Sequence, residues 1–231
     1  MLMGLIDEEY TRHPFYGSRR MRVYLQRLGH EVNRKRVQLL YRHMGLEAIY
    51  PKKNLSQPDK QPIIFPYLLR DLKIDRADHV WSTDITYIRL CGGFVYLMAV
   101  IDWYSRYVLD WSISTTLESD FCINTVGGLL LERRCEIFNT DQGAQFTTPK
   151  FIEPLRACGV QVSMDGKGRA LDNIFVERLW RSLKYECVYP MNFASVKEAR
   201  HHIGEYFKFY NEERPHQSLG YKTPIDVYNG L

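Results

Sequence analysis

The sequence predicts a mixed-sheet α/β domain preceded by a small all-helical module. Three observations predict it. From residue 80 to 164, strand-like runs rich in β-branched and aromatic residues alternate with helical periodicity: three strands, a helix, a strand, a helix, a strand. Before residue 51 only helix-period patterns occur, and a polar stretch containing Pro51, Pro58, Pro62 and Pro66 separates the two regions. Charge divides the same way. Residues 1–60 hold 12 Lys/Arg against 6 Asp/Glu, whereas the remainder holds 19 against 21. A basic front and a slightly acidic back suit a polyanion-binding module joined to carboxylate chemistry. The predicted layout is a helical module over 1–50, a linker over 51–78, an α/β core over 79–190, and a C-terminal helix and tail over 191–231 packed on that core.

The elements follow in order. Residues 1–13 read as a short helix. Ser18 caps a second helix running to Leu28, with Met21, Tyr24, Leu25 and Leu28 on one face, and Gly29-His30 breaks it. Asn33 caps a third, whose apolar face is Val37, Leu40, Tyr41 and Met44 and whose terminator is Gly45. Two short helices around a glycine-containing turn form a helix-turn-helix pattern, and the outer face of the second carries Arg34, Lys35, Arg36 and Arg42. Cations there suit phosphate contacts; a plain solvated helical hairpin explains the pattern equally well.

Strands are predicted over 80–90, 94–102 and 107–114, the first two joined through Cys91-Gly92-Gly93 as part of an antiparallel meander. A helix over 118–132 leads to a short strand, 136–140, that ends at Asp141. A helix over 148–157 and a strand over 160–164 come next. Gly166, Gly168 and the cations between them make a mobile loop before a helix over 171–189. Ser195 and Glu198 form a capping box for a last helix that presents Val196, Ala199, Ile203, Tyr206 and Tyr210 and stops before Pro215. The tail after it reads as irregular.

Several chemistries are excluded. There is no GxSxG, no P-loop spacing and no GxGxxG. No CxxC exists among the five cysteines, which read as small buried hydrophobes. His201 and His202 are adjacent and diverge by about 100° on a helix, so they are poorly placed to share a metal. The longest apolar run, 94–101, is too short to span a bilayer, and no signal peptide opens the chain; a cytoplasmic location is the expectation.

Carboxylates remain. Asp84 lies inside WSTDITYI, an otherwise apolar strand, and a charge there needs a partner such as a metal ion. Asp141 ends an apolar strand, with Gly143 letting the backbone turn. On a helix over 171–189, Asn173, Glu177, Arg181 and Lys184 share a polar stripe, while Phe175, Leu179 and Leu183 form a separate apolar row. Taken alone, that stripe is an ordinary solvated ion-pair face. Taken together, acids from two strands and a helix suit two Mg²⁺ ions about 4 Å apart, because hard cations prefer oxygen ligands. Asp102 and Asp110 compete, Asp102 being the stronger alternate ligand, and Asp172 reads as a helix N-terminal charge.

The ordered set Asp84, Asp141 and Glu177, with 35 residues between the last two and Lys184 seven beyond the glutamate, resembles the DDE triad of transposases and retroviral-type integrases. HPFYGSRRM, VNRKRVQLLYRHMGL, VWSTDITYI, NTDQGAQFT, RALDNIFVERLWRSLKYE and YNEERPHQSLGYKTP resemble the second reading-frame product of the IS-three family of insertion sequences. Retroviral integrases are a poorer match, because no paired His and paired Cys precede Asp84. The resemblance implies a ribonuclease H-like core that cleaves DNA at the ends of a mobile element and transfers the strand to a target. It implies Asp84, Asp141 and Glu177 as ligands of two Mg²⁺ ions, with Mn²⁺ able to substitute. It also implies Lys184 and Arg181 as DNA contacts near the scissile phosphate, and assigns no role to Asn173 or Trp180. Its partners would be double-stranded DNA of the element ends and target, further copies of the chain on that DNA, and a first reading-frame partner, in the nucleoid. The competing expectations are a non-catalytic DNA-binding regulator and a structure-specific nuclease with the same core.

Overall fold

The computed structural model describes residues 1–46, 48, 63–166 and 170–231. The linker prolines Pro51, Pro58 and Pro62, and Lys167, Gly168 and Arg169 of the expected mobile loop, lie outside the described residues. The chain forms two compact units, Met1–Gln57 and Pro58–Leu231. Among the described residues no helix is long and apolar enough to cross a membrane.

The first unit holds α1 (Leu2–Arg12), α2 (Ser18–Arg27) and α3 (Arg34–His43). Their apolar stripes meet in a core of Ile6, Met21, Leu25, Val32, Val37 and Tyr41. The side chain of Asn33 accepts from the Arg36 backbone N–H at 2.9 Å, capping α3. Ser18 differs from expectation. Gly17 occupies the N-cap, and Ser18 is already helical. Its hydroxyl instead accepts from Arg34 Nε at 3.4 Å, linking the two helices of the pair. Arg34, Lys35, Arg36 and Arg42 all face solvent.

The second unit is built on a five-stranded sheet of order β3-β2-β1-β4-β5. The strands are β1 (Val80–Leu90), β2 (Gly93–Asp102), β3 (Val108–Ser114), β4 (Ile137–Thr140) and β5 (Gln161–Met164). The first three pair antiparallel, and β4 and β5 join β1 in parallel, so the sheet is mixed. Side chains alternate between two packed faces. Trp81, Met98 and Val100 meet α4 (Asp120–Glu132) and α5 (Pro149–Ala157) through Val126, Phe151 and Leu155. Val80, Leu97 and Ile101 meet α6 (Ile174–Leu183) and α8 (Val196–Glu212) through Val176, Leu183, Ile203 and Phe207.

Two expectations are corrected. The single helix over 171–189 changes pitch. A 3₁₀ turn (Ala170–Asn173) precedes α6, a π segment (Lys184–Val188) follows it, and a last turn α7 is Tyr189–Met191. Asn173 therefore leaves the polar stripe. It is buried, and its Nδ2 donates to the Thr83 carbonyl at 3.2 Å. The buried row of α6 is Val176, Leu179, Trp180 and Leu183, with Phe175 at its margin. The tail is not irregular either. It contains a 3₁₀ turn (Gln217–Leu219) and α9 (Pro224–Tyr228). Thr223 and Asp226 form a reciprocal capping box for α9, with Pro224 in its first turn.

Candidate catalytic site

The sheet register places the acids. Ser82, Asn139 and Ser163 are neighbours across β1, β4 and β5. Asp84 lies two residues beyond Ser82 in β1, and Asp141 and Asp165 each follow directly on the last residue of β4 and of β5. The helix α6 lies over β1, with Trp180 donating its indole N–H to Asp84 Oδ2 at 3.0 Å. Glu177, three residues earlier on α6, is exposed.

The electrostatics are those of crowded anions. Burial pushes the Asp84 carboxyl up to about 6; the Trp180 indole and the Ile85 backbone oppose the rise, and the charges of Asp141 and Glu177 add to it. Asp141 is also raised by burial, against the pull of the Gly143 N–H, which donates to its Oδ1 at 2.9 Å. A Cβ at Gly143 would stand 2.9 Å from that same oxygen, so any other residue there would push the carboxylate aside. Asp165 is pushed up to about 7 by burial first, with Asp172, Asp141 and Asp84 adding to it.

Two polar side chains frame the group. Asn139 Nδ2 donates to Asp165 Oδ1 at 2.7 Å. Asp172, which the sequence reading gave to a helix N-terminus, accepts from the Gly166 backbone N–H at 3.0 Å and so ties the start of the β5–α6 connection to its end. The remaining acceptors Asn139 Oδ1 and Asn173 Oδ1 are buried without a partner among the described residues. Acceptors thus outnumber donors around Asp84 and Asp141, the imbalance that a hard cation with its water shell corrects.

Asp141 and Glu177 both come close enough for their charges to reach Asp84. They do not form a ready-made cage: among the described residues no three His, Cys, Asp or Glu side chains converge as metal ligands. The physical reason is visible. Asp84 turns to Trp180 and Asp141 to Gly143, each finding a donor rather than facing the other anions. Arg181 is exposed and Lys184 half-buried, and neither ammonium nor guanidinium is engaged by an acid among the described residues.

The alternate ligand Asp102 plays another part. It is fully buried, and its carboxylate accepts from the Asp78 N–H at 2.9 Å, the Ser105 N–H at 2.8 Å and the Ser105 hydroxyl at 2.6 Å. Asp110 accepts from the Trp111 N–H. Sequence reasoning missed Asp165 and Trp180. Asp165 had a signal, since it follows the last strand of the sheet as Asp141 follows the one before. Trp180 had none, because nothing local in the sequence pairs its indole with a carboxylate on a distant strand.

Known proteins show the same organisation. Residues 75–170 and 158–224 each match a family described as an integrase core domain, and residues 1–54 match one described as an HTH-like domain. The chain is 33% identical over 225 residues to the transposase for insertion sequence element IS904 of Lactococcus lactis, covering 91% of this chain and 86% of that protein. It is 32% identical over 219 residues to the putative transposase InsK for insertion sequence element IS150 of Escherichia coli, covering 93% and 77%. The catalytic core domain of HTLV-2 integrase, in a dimeric form in complex with magnesium, superposes with a TM-score of 0.55 at 18% identity over 66% of this chain and 97% of that one. This last likeness bears on the fold: the second unit has the ribonuclease H-like integrase core.

Proposed function

The chain belongs to the IS3 family of insertion-sequence transposases, and from that premise we propose that Asp84, Asp141 and Glu177 are its catalytic carboxylates and hold two divalent metal ions, Mg²⁺ or in its place Mn²⁺. The activity is DNA transposition by a polynucleotidyl transferase. The observation that supports the residue assignment is that the charges of Asp141 and Glu177 both act on the buried Asp84, which α6 covers through Trp180.

When bound, the metal ions supply Lewis acidity that activates a water or a DNA 3′-hydroxyl and offsets charge on the leaving oxygen. The chain's own groups do the rest. Asp84 and Asp141 present oxygen ligands from a rigid sheet, so little reorganises during reaction. Trp180 fixes which Asp84 oxygen is free to ligate, because its N–H occupies Oδ2. Glu177 closes the set from a helix whose buried row anchors it to the sheet. Arg181 and Lys184 hold the phosphodiester near Glu177, and Arg34, Lys35 and Arg36 contact the backbone of the duplex from the first unit. The partners are double-stranded DNA of the element ends and target, further copies of the chain on that DNA, and a first reading-frame product.

The purified chain, supplied with Mg²⁺ and a duplex carrying an element end, is expected to nick that end and join it to target DNA, with no product in chelator. Cleavage without joining would favour a structure-specific nuclease. DNA binding with neither reaction would favour a regulator.

A further inference from the structure

We propose that a cleft beside α6, on a different face from Glu177 and lined by Arg106, Phe175, Arg178, Tyr210, Arg214 and Ser218, is a binding site for a phosphate group, supplied by the backbone of the bound DNA. The cleft has a volume of about 160 Å³, ample for one phosphate. The choice of a phosphodiester rests on the transposase reading above; the anion site itself does not.

Three segments build it. Phe175, Arg178 and Ser182 fall at i, i+3 and i+7 on α6, so they share one face, and Arg178 sits about 100° around the helix from Glu177. Arg106 comes from the β2–β3 turn. That turn is held by the buried Asp102, and Arg106 itself adopts a φ of 66°, a left-handed conformation a bulky residue rarely takes. Its guanidinium centre lies 3.6 Å from the centroid of the Phe175 ring. The third wall follows α8: Tyr210, Arg214, His216 and Ser218.

The charges do not balance. Arg214 is satisfied by Glu186, at 2.9 Å from Nε and 2.7 Å from Nη2. The guanidinium groups of Arg106 and Arg178 make no hydrogen bond or ion pair among the described residues. The nearby acids are already committed, Asp102 to Asp78 and Ser105, and Glu186 to Arg214 and Tyr206. Burial pulls the Arg106 guanidinium down to about 10; Tyr210 and Asp102 oppose the fall and Arg178 adds to it. His216 is pulled down to about 4 by burial and by Arg214, so it adds no positive charge at neutral pH. Two guanidinium groups line a partly enclosed space, and among the described residues no carboxylate bonds to either; the Asp102 charge reaches Arg106 only from a distance. Planar donor forks of this kind match phosphate geometry, and a half-buried arginine left unpaired is costly unless a ligand completes it.

The test uses the full chain and titrates inorganic phosphate while following arginine side-chain N–H resonances. Saturable shifts confined to Arg106, Arg178 and Arg214, abolished by Arg178→Gln, are expected. Uniform, unsaturable shifts across all arginines would overturn the site. Arg178 is exposed, so its substitution leaves the fold intact, whereas Arg106→Gln also removes the packing on Phe175. A second arm measures affinity for an end-containing duplex against salt. Arg178→Gln should reduce the slope of log K on log [salt] by about one, the loss of a single phosphate contact. An unchanged slope alongside intact phosphate binding in the parent chain would overturn the DNA assignment and leave a site for free phosphate. If instead the catalytic reading fails, end cleavage is lacking while the phosphate titration still saturates.

Discussion

Asp84→Asn is expected to lower end cleavage by roughly 10³-fold or more, the scale on which loss of one member of a catalytic group acts, while the chain stays folded. Asparagine keeps an oxygen to accept the Trp180 indole N–H and removes only the charge. That charge is costly in the folded protein. Its carboxyl is raised from 3.8 to about 6, so the cost is absent below the unfolded value, grows as pH rises from 3.8 towards 6, and is constant above. The variant should therefore melt at or above the wild-type temperature at pH 8 without metal, and the two should converge near pH 4. The same shift predicts that wild-type cleavage falls as pH drops below about 6, where Asp84 takes up a proton and loses its ligand oxygen; saturating metal moves the fall to lower pH. Cleavage assays and thermal melts across pH 4–8 check both. Substantial cleavage by the variant would remove Asp84 from the site.

Asp102→Ala should act in the opposite way, unfolding rather than disarming. Alanine leaves the Asp78 and Ser105 N–H groups and the Ser105 hydroxyl without their acceptor in a fully buried position. Removing one side of such a network costs about 3–5 kcal/mol, or on the order of 10 °C in Tm for a chain of this size. Metal affinity of the folded fraction should be unchanged, which separates Asp102 from the ligand set. A variant with wild-type Tm and weakened metal binding would restore Asp102 as a ligand.

The mixed sheet was legible because β1 and β2 carry unbroken strand chemistry and because Asn33 and Ser195 cap helices as their neighbours predict. The acids were legible as charges in apolar runs. What stayed hidden depends on tertiary partners. Trp180 reads as core until β1 supplies a carboxylate for its N–H. Asn173 joins a polar stripe on paper, yet the 3₁₀ turn before α6 swings it inward to Thr83. The π segment after Leu183 leaves no periodic trace in the sequence, so the facing of residues beyond Lys184 could not be read from spacing. Ser18 lost the cap to Gly17 because Arg34, sixteen residues away, claims its hydroxyl. The α9 capping box was present in Thr223 and Asp226 and was overlooked beside the proline.

The central claim is that Asp84, Asp141 and Glu177 act as one metal-binding set, with one oxygen of Asp84 accepting from Trp180 and one of Asp141 from Gly143. Calorimetric titration of Mn²⁺ into the DNA-free chain at pH 8 tests it most directly. Saturable binding is predicted for the wild type, with affinity sharply reduced in each of Asp84→Asn, Asp141→Asn and Glu177→Gln. Undiminished binding in any one of the three folded variants would contradict it.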